Sequence, residues 1–394
     1  MSKRNRVLSL IGICIYICSI CIACSAIEDG EKISNSAYEG KENLENFSWE
    51  YEIETDDQSC YDSDRIILNE YGYYYFKQDI KTAGNILMFW DKSSKIETPL
   101  CNNPDCKHNG EQCSAYFSQG GYQKESYFGY KLWYYDHAIY HLGYDEEDNV
   151  NIYRVAEDGS SREVVACLYK VDSTVIEEDG GSITMTWPDV CIHRGFMYYV
   201  NYDETILKIR KVDLETLEEK VIYEHNMGRG DLYRLKGYGD YIFFEGGYFV
   251  DDDYTQYKGD LMFYNTKTGE IQTVVEAVTG PYAVYADNIF YSDDSSIRKF
   301  DLITEEDSLL IQNDEAYVNF SIDENGLYVF EDELSCLNVY SLDGKLMKTI
   351  ETDKNLTFLG GDQDYLLARE DERIVYISKQ NILADGTDWN TISE

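Results

Sequence analysis

Residues 232–275 read LYRLKGYGDYIFFEGGYFVDDDYTQYKGDLMFYNTKTGEIQTVV, and this stretch divides into four short apolar runs separated by polar turns. The runs cover residues 232–238, 241–245, 261–264 and 271–275. Gly239-Asp240 separates the first two runs, and residues 265–269 separate the last two. Glycine, asparagine and aspartate supply the positive φ angles or local side-chain bonds that tight hairpins need. The stretch therefore predicts a four-stranded antiparallel unit.

The same pattern recurs seven times along the chain. Its second run is the clearest marker and covers residues 73–76, 139–142, 197–200, 242–245, 289–292, 327–330 and 366–369. From the third unit on, the spacing fits propeller blades of about 40–50 residues, and the first two units carry insertions. The repeat predicts an all-β chain in which residues 47–394 form one seven-bladed β-propeller of four-stranded antiparallel blades. Six or eight blades remain alternatives.

The seventh unit shows no convincing fourth strand after residue 377. Residues 47–53, FSWEYEI, alternate apolar and polar side chains and precede the first unit. We expect this N-terminal strand to close the ring as the outer strand of the last blade, because a ring otherwise leaves an open sheet edge.

The first residues form a targeting segment. Lys3, Arg4 and Arg6 precede an apolar run over residues 7–23, and Cys24 follows Cys-Ile-Ala and precedes serine. This arrangement resembles a bacterial lipobox, which implies a signal peptide over residues 1–23 and a lipidated Cys24. Residues 24–46 are polar and predict a flexible tether. The chain is then expected on the extracytoplasmic face of the cell membrane, held by its lipid. A secretory signal cut elsewhere and an uncleaved membrane anchor remain alternatives.

The charge balance restricts the partners. The 394 residues include 34 Lys and Arg against 74 Asp and Glu, for a formal net charge of −40. Nucleic-acid binding is disfavoured, because phosphates require a basic surface. Metal cations, basic peptides and neutral glycans remain plausible ligands, and the excess acid also suits plain solubility. We expect a monomer.

Three cysteines and one histidine cluster within residues 101–113, CNNPDCKHNGEQC. Cys101, Cys106, His108 and Cys113 offer the thiolates and imidazole that structural zinc sites use, although the spacing is not that of a standard zinc finger. We place this segment in an insertion between blades, residues 101–120, where Cys60 could also reach. Disulfides among the cysteines, or free thiols, are the alternatives.

Acidic residues recur in the loops between second and third strands, which share one face of a propeller. We expect a ligand-binding face there, lined by Asp145, Glu146, Asp203, Asp251, Asp252, Asp293, Glu331, Asp371, Tyr202 and Tyr254. Carboxylates at such positions suit Ca²⁺ or a basic partner, and tyrosine beside carboxylates suits a sugar. Ordinary solvated loop charge is the alternative.

The aromatic hairpins, the lipobox and the cysteine loop resemble uncharacterised lipoproteins of Gram-positive bacteria with a TolB-like or quinoprotein-like propeller. That resemblance implies the fold and the anchor, and it brings no known function. We therefore expect a lipid-anchored binding or scaffold module for a protein or a glycan. The alternatives are a glycan hydrolase or lyase that uses carboxylates, and a structural envelope protein. No catalytic residue is indicated.

Overall fold

The structure is a computed structural model. It describes residues 66–79, 84–110, 112–118, 132–144, 149–170, 189–203, 206–225, 230–250, 256–278, 280–293, 295–312, 319–331, 336–351, 356–362, 364–370, 373–384 and 388–392. The predicted signal peptide, tether and closing strand lie outside these residues, so those expectations stay predictions. Among the described residues, no helix has both the length and the apolar character needed to span a membrane.

The described chain is almost entirely β-strand, with one short helix. In order the elements are β1 (Ile66–Leu68), β2 (Gly72–Asp79), β3 (Gly84–Asp91), β4 (Glu97–Pro99), β5 (Tyr116–Ser118), β6 (Leu132–Tyr135), β7 (Ala138–Tyr144), β8 (Asn149–Ala156), β9 (Arg162–Lys170), β10 (Val190–His193), β11 (Phe196–Asp203), β12 (Ile206–Asp213), β13 (Glu219–His225), β14 (Asp231–Tyr238), β15 (Tyr241–Phe249), β16 (Tyr257–Asn265), β17 (Ile271–Val278), β18 (Tyr282–Tyr285), β19 (Asn288–Asp293), β20 (Ser296–Asp301), β21 (Asp307–Gln312), β22 (Asn319–Asp323), β23 (Gly326–Glu331), β24 (Cys336–Tyr340), β25 (Leu346–Glu351), β26 (Leu356–Gly361), β27 (Tyr365–Glu370), β28 (Arg373–Ser378), α1 (Lys379–Leu383) and β29 (Asn390–Thr391).

Seven sheets contain these strands, and in each sheet the first four strands pair antiparallel in chain order; in blade 1, β5 also pairs with β3. Blade 1 holds β1–β5, and blades 2 to 7 hold β6–β9, β10–β13, β14–β17, β18–β21, β22–β25 and β26–β29. First strands of neighbouring blades touch one another, as β6 does with β10 and β10 with β14. The first strands therefore surround the central axis. The predicted seven-bladed propeller of four-stranded blades is confirmed.

Each blade is buried on both sides, because it stands between two others. Along β15, Phe243 packs into a core shared with Tyr282 and Val284 of blade 5. Its neighbour Phe244 packs into a different core, shared with Tyr198 of blade 3. Successive side chains of a strand point to opposite faces, so one aromatic run supplies two interfaces. This double burial explains why the second runs are mostly apolar on both faces of the strand.

The turns between third and fourth strands use one repeated device. An Asp or Asn side chain accepts hydrogen bonds from the backbone N–H groups two and three residues later, at Asp91, Asp213, Asn265 and Asp301. The residue four positions later has positive φ, at Lys95, Leu217, Gly269 and Glu305. Such local bonds define the turn without help from the rest of the fold.

The last blade obtains its fourth strand from the C-terminus. Asn390 pairs with Tyr376 and Thr391 with Val375, and Ile392 donates its N–H to Ile374 O at 2.8 Å. The expectation that the seventh unit lacks its own fourth strand is therefore wrong. α1 separates β28 from β29, so the strand comes later than the repeat predicts. Residues 47–53 lie outside the described residues, and their closing role stays a prediction.

Candidate metal centre and channel-mouth site

Most of the predicted ligand-face residues lie beyond the described chain. Six of them fall outside it, namely Asp145, Glu146, Asp251, Asp252, Asp371 and Tyr254. The predicted lipidation site Cys24 and the additional cysteine Cys60 also fall outside it. For Tyr202, Asp203 and Glu331 the structure describes only the backbone, at or next to the ends of second strands. Asp293 ends β19 and is half-buried. The acidic binding face therefore stays a prediction.

The predicted cysteine–histidine set comes together in space. One ligand atom from each of Cys101, Cys106, His108 and Cys113 lies within 4.8 Å of the others. His108 Nδ1 stands 3.3 Å from Cys113 Sγ. Cys113 is buried, and the other three are half-buried. We call these four residues the cysteine–histidine cluster.

The six cysteines that the structure describes are all free thiols. A disulfide within residues 101–113 is therefore not part of this structure, and Cys60 is outside the described residues. Burial raises the pKa of the Cys113 thiol to about 12. Burial also acts on Cys101, but hydrogen bonds from the Asn103 backbone and the Ser114 side chain outweigh it and lower the pKa of that thiol.

The cysteine loop interrupts the fourth strand of blade 1. β4 pairs with residues 88–90 of β3, and β5 pairs with residues 84–86. Between them, Leu100 donates its N–H to Leu87 O and Leu87 donates its N–H to Ala115 O, both at 2.8 Å. Residues 101–114 thus leave one strand position and return to the next. The segment is therefore an excursion from the outer edge of blade 1.

The loop packs on the neighbouring blade. Asn102 donates its N–H to Gly159 O at 3.3 Å, and Ser114 Oγ donates to the same carbonyl at 2.7 Å. Gly159 belongs to the turn between β8 and β9. Turns between third and fourth strands lie on the face opposite to the loops between second and third strands. The cysteine loop therefore contacts the side of the propeller opposite to the loops between second and third strands.

Short backbone bonds shape the loop around its ligand atoms. His108 N–H donates to Cys106 Sγ at 3.4 Å, and Cys113 N–H donates to Gly110 O at 2.9 Å. Cys106 N–H donates to Asn103 O at 3.1 Å. His108 has a φ of +52°, which is costly for a residue with a side chain. In this conformation, Nδ1 of the His108 ring lies beside Cys113 Sγ.

A second group of side chains surrounds Arg234 in the first strand of blade 4. Arg234 sits at a bulge between Tyr233 and Lys236 and has a φ of +55°. Its Nη1 donates to both carboxylate oxygens of Glu245 at 3.0 Å and to Gly280 O at 3.1 Å. The Glu245 side chain has no exposed area. Strained residues and bulges concentrate where proteins bind or react.

Two further carboxylates lie at the start of neighbouring first strands. Asp189 precedes β10 and accepts from the N–H of Val190 at 3.0 Å and of Leu235 at 2.8 Å. Asp231 begins β14, and part of its surface faces solvent. Desolvation of its carboxylate by the surrounding protein, with repulsion from Asp189, raises the pKa of Asp231. Because first strands surround the axis, both carboxylates lie at the mouth of the central channel.

An aromatic edge adjoins these carboxylates. Tyr257 packs against Tyr233 and Phe249, with ring centroids 6.3 and 5.0 Å apart. Tyr257 is 37% exposed and Val250 is 47% exposed. A Cβ on Gly247 would stand 1.8 Å from the Tyr257 hydroxyl, so a side chain there would have to displace this ring. Asp189, Asp231, Arg234, Glu245 and Tyr257 together form what we call the channel-mouth site.

Sequence reasoning missed most of the channel-mouth site. Arg234, Glu245, Asp189 and Asp231 lie within or beside strand patterns, where charged residues usually indicate the solvent side of a sheet. The double glycine at residues 246–247 is the one local signal, because glycine inside a strand often marks a close approach.

No family model matches the chain, and no curated protein matches it. A solved prolyl endopeptidase is similar over 88% of this chain, with 14% identity and a TM-score of 0.54, and the chain spans 52% of its length. BamB from Moraxella catarrhalis is similar over 82% of this chain and 98% of its own, with 12% identity and a TM-score of 0.44. TolB from Acinetobacter baumannii is similar over 72% of this chain and 64% of its own, with 12% identity and a TM-score of 0.38. At these identities the likeness is one of fold, and the chain is a β-propeller protein.

Proposed function

We propose that this protein is a binding module, anchored to the membrane through Cys24, that docks a protein ligand at the channel-mouth site. The observation that carries the proposal is Arg234, whose backbone is strained and whose Nη1 donates to both carboxylate oxygens of the fully buried Glu245. A strained residue persists only where the surrounding structure maintains it. A strained arginine that the fold maintains beside the channel is consistent with a role in ligand binding.

The ligand that suits this site carries positive charge. Desolvation by the surrounding protein and repulsion from Asp189 raise the pKa of Asp231, so a cationic group placed between the two carboxylates would relieve their repulsion. Tyr257 and Phe249 offer ring faces and edges beside these carboxylates, and cations are attracted to aromatic faces. The net charge of −40 favours the approach of a basic partner. A protein segment bearing lysine or arginine meets all three conditions.

Docking is tested by placing a photo-crosslinking amino acid at Val250 in the full-length protein in its native cells. The matched control is Leu217, which is 49% exposed in the turn between β12 and β13 on the opposite face. We expect discrete protein adducts from position 250 and none from position 217. The adducts should weaken when Asp231→Asn is added and when the salt concentration rises, because a charge contact is screened.

Equal adduct formation from both positions, or none from position 250, would contradict the proposal. Binding of a neutral sugar from a glycan panel to the purified protein, unaffected by salt, would replace the protein ligand with a glycan. The anchor has its own test, because Cys24→Ala should release the protein from the membrane fraction. Retention of the Cys24→Ala variant would contradict lipid anchoring and leave the docking result untouched.

A further inference from the structure

We infer that Cys101, Cys106, His108 and Cys113 bind one zinc ion, which ties the interrupted outer strand of blade 1 to blade 2. This site is separate from the channel-mouth site and does not depend on the proposed ligand. Three thiolates and an imidazole form a donor set typical of structural zinc. The cluster brings all four ligand atoms within 4.8 Å of one another.

The distances match a tetrahedral ion. Two sulfur ligands placed about 2.3 Å from a tetrahedral zinc ion stand about 3.8 Å apart, and a sulfur and a nitrogen stand slightly closer. His108 Nδ1 and Cys113 Sγ are 3.3 Å apart. A spread of at most 4.8 Å over the whole set leaves only a small contraction on binding. The ligand atoms are thus already arranged around one point.

The loop backbone supports the same conclusion. The amide of His108 donates to Cys106 Sγ, a bond that stabilises a thiolate and orients it toward an ion. His108 itself is held at a φ of +52°. A pair of cysteines awaiting oxidation requires no histidine, whereas a four-coordinate ion requires the fourth donor. The strained histidine therefore favours a metal over a disulfide.

Four protein ligands indicate a structural role. Catalytic zinc keeps one position open for water or substrate, and this cluster fills all four. Cys101, Cys106 and Cys113 also pack against the apolar core between blades 1 and 2, which includes Leu132 and Tyr134. The loop additionally holds the carbonyl of Gly159. An ion here would fasten residues 101–114 into a closed unit that bridges the two blades.

The experiment measures metal in the full-length protein, purified under reducing conditions with zinc supplied. We expect equimolar zinc by elemental analysis. After replacement by Co²⁺, we expect visible absorption bands of a tetrahedral ion and a thiolate charge-transfer band in the near ultraviolet. Cys106→Ser and His108→Ala should lose most of the zinc. The control is Cys167→Ser, whose exposed thiol in β9 lies outside the cluster.

His108→Cys distinguishes lost ligation from lost folding. That variant should keep equimolar metal and shift the cobalt spectrum, because sulfur replaces nitrogen in an otherwise intact site. For the unaltered protein, a chelator should lower the thermal unfolding midpoint and added zinc should restore it. Absence of zinc in the folded protein, or zinc that survives Cys106→Ser and His108→Ala together, would overturn the inference. So would iron in place of zinc, or a mass deficit showing that two of these cysteines are joined by a disulfide.

Discussion

The two hydrogen bonds of the buried His225 ring depend on its protonation state. It ends β13 and is 5% exposed. Its Nε2 lies 2.9 Å from Gly247 O, and its Nδ1 lies 3.3 Å from the Tyr223 hydroxyl. A neutral ring satisfies both contacts, because Nε2–H donates to the carbonyl and Nδ1 accepts from tyrosine. Burial lowers the pKa of His225, against smaller raising effects from the Gly247 carbonyl and from Asp260.

The lowered pKa predicts a specific pH dependence. The unfolded chain binds a proton near pH 6.5, whereas the folded chain resists it. The stabilisation is therefore fully present above pH about 6.5 and declines as the pH falls toward the folded pKa. Urea unfolding at several pH values between about 7.5 and 5.5 should show a smaller loss of unfolding free energy for His225→Gln than for the unaltered protein. Parallel pH profiles for the two proteins would contradict this.

The contact between Arg234 and Glu245 could not be predicted from the local sequence. Arginine rarely adopts positive φ, so nothing in residues 231–238 indicates the bulge. Glu245 follows an aromatic run and pairs with a residue of the preceding strand. The ion pair between Arg234 and Glu245 forms only after β14 and β15 align, because the alignment decides which side chains face each other.

At the scale of elements, the turn between β8 and β9 supports the cysteine loop. Gly159 has a φ of +70°, and a Cβ there would stand 2.7 Å from both Cys101 N and Leu100 C. Gly269 occupies the corresponding turn of blade 4, with a φ of +81°, and a Cβ there would meet nothing within 4 Å. The two glycines share a backbone conformation and differ in what they touch.

Replacing each glycine by alanine separates these two effects. Gly269→Ala should cost about 1 kcal/mol of unfolding free energy, the penalty for a side chain at positive φ. Gly159→Ala should cost roughly 2–3 kcal/mol more, because its methyl group displaces the backbone of the cysteine loop. Chemical unfolding measures both. Equal costs would mean that the loop does not rest on this turn.

At the scale of the whole molecule, ring closure depends on the packing of blade 7 against blade 1. Ile392 follows β29 and packs in a core shared with Ile66 and Tyr73 of blade 1. Lys92 of blade 1 forms an ion pair with Asp362 of blade 7, both mostly buried. The closure thus joins the two ends of the described chain through apolar contacts and a buried ion pair.

Ile392→Ala should lower the unfolding free energy by roughly 2–4 kcal/mol, because it removes buried methyl groups at the closure. The control is Thr391→Ala, an exposed residue of β29, which should change it by less than about 0.5 kcal/mol. Thermal or urea unfolding gives the comparison. Equal small effects would show that the C-terminal strand contributes little to closure.

The sequence by itself determined the strands, the turns and the number of blades, because alternation of apolar side chains and Gly, Asn or Asp turns act over a few residues. It also identified the four members of the cysteine–histidine cluster, since they lie in one short loop. Tertiary structure alone decided the rest. That loop interrupts an outer strand and rests on blade 2, the last blade closes with residues 390–391, and Arg234 meets Glu245 beside two channel carboxylates. Each of these depends on contacts that form only when strands align and blades assemble, and no local pattern records such contacts.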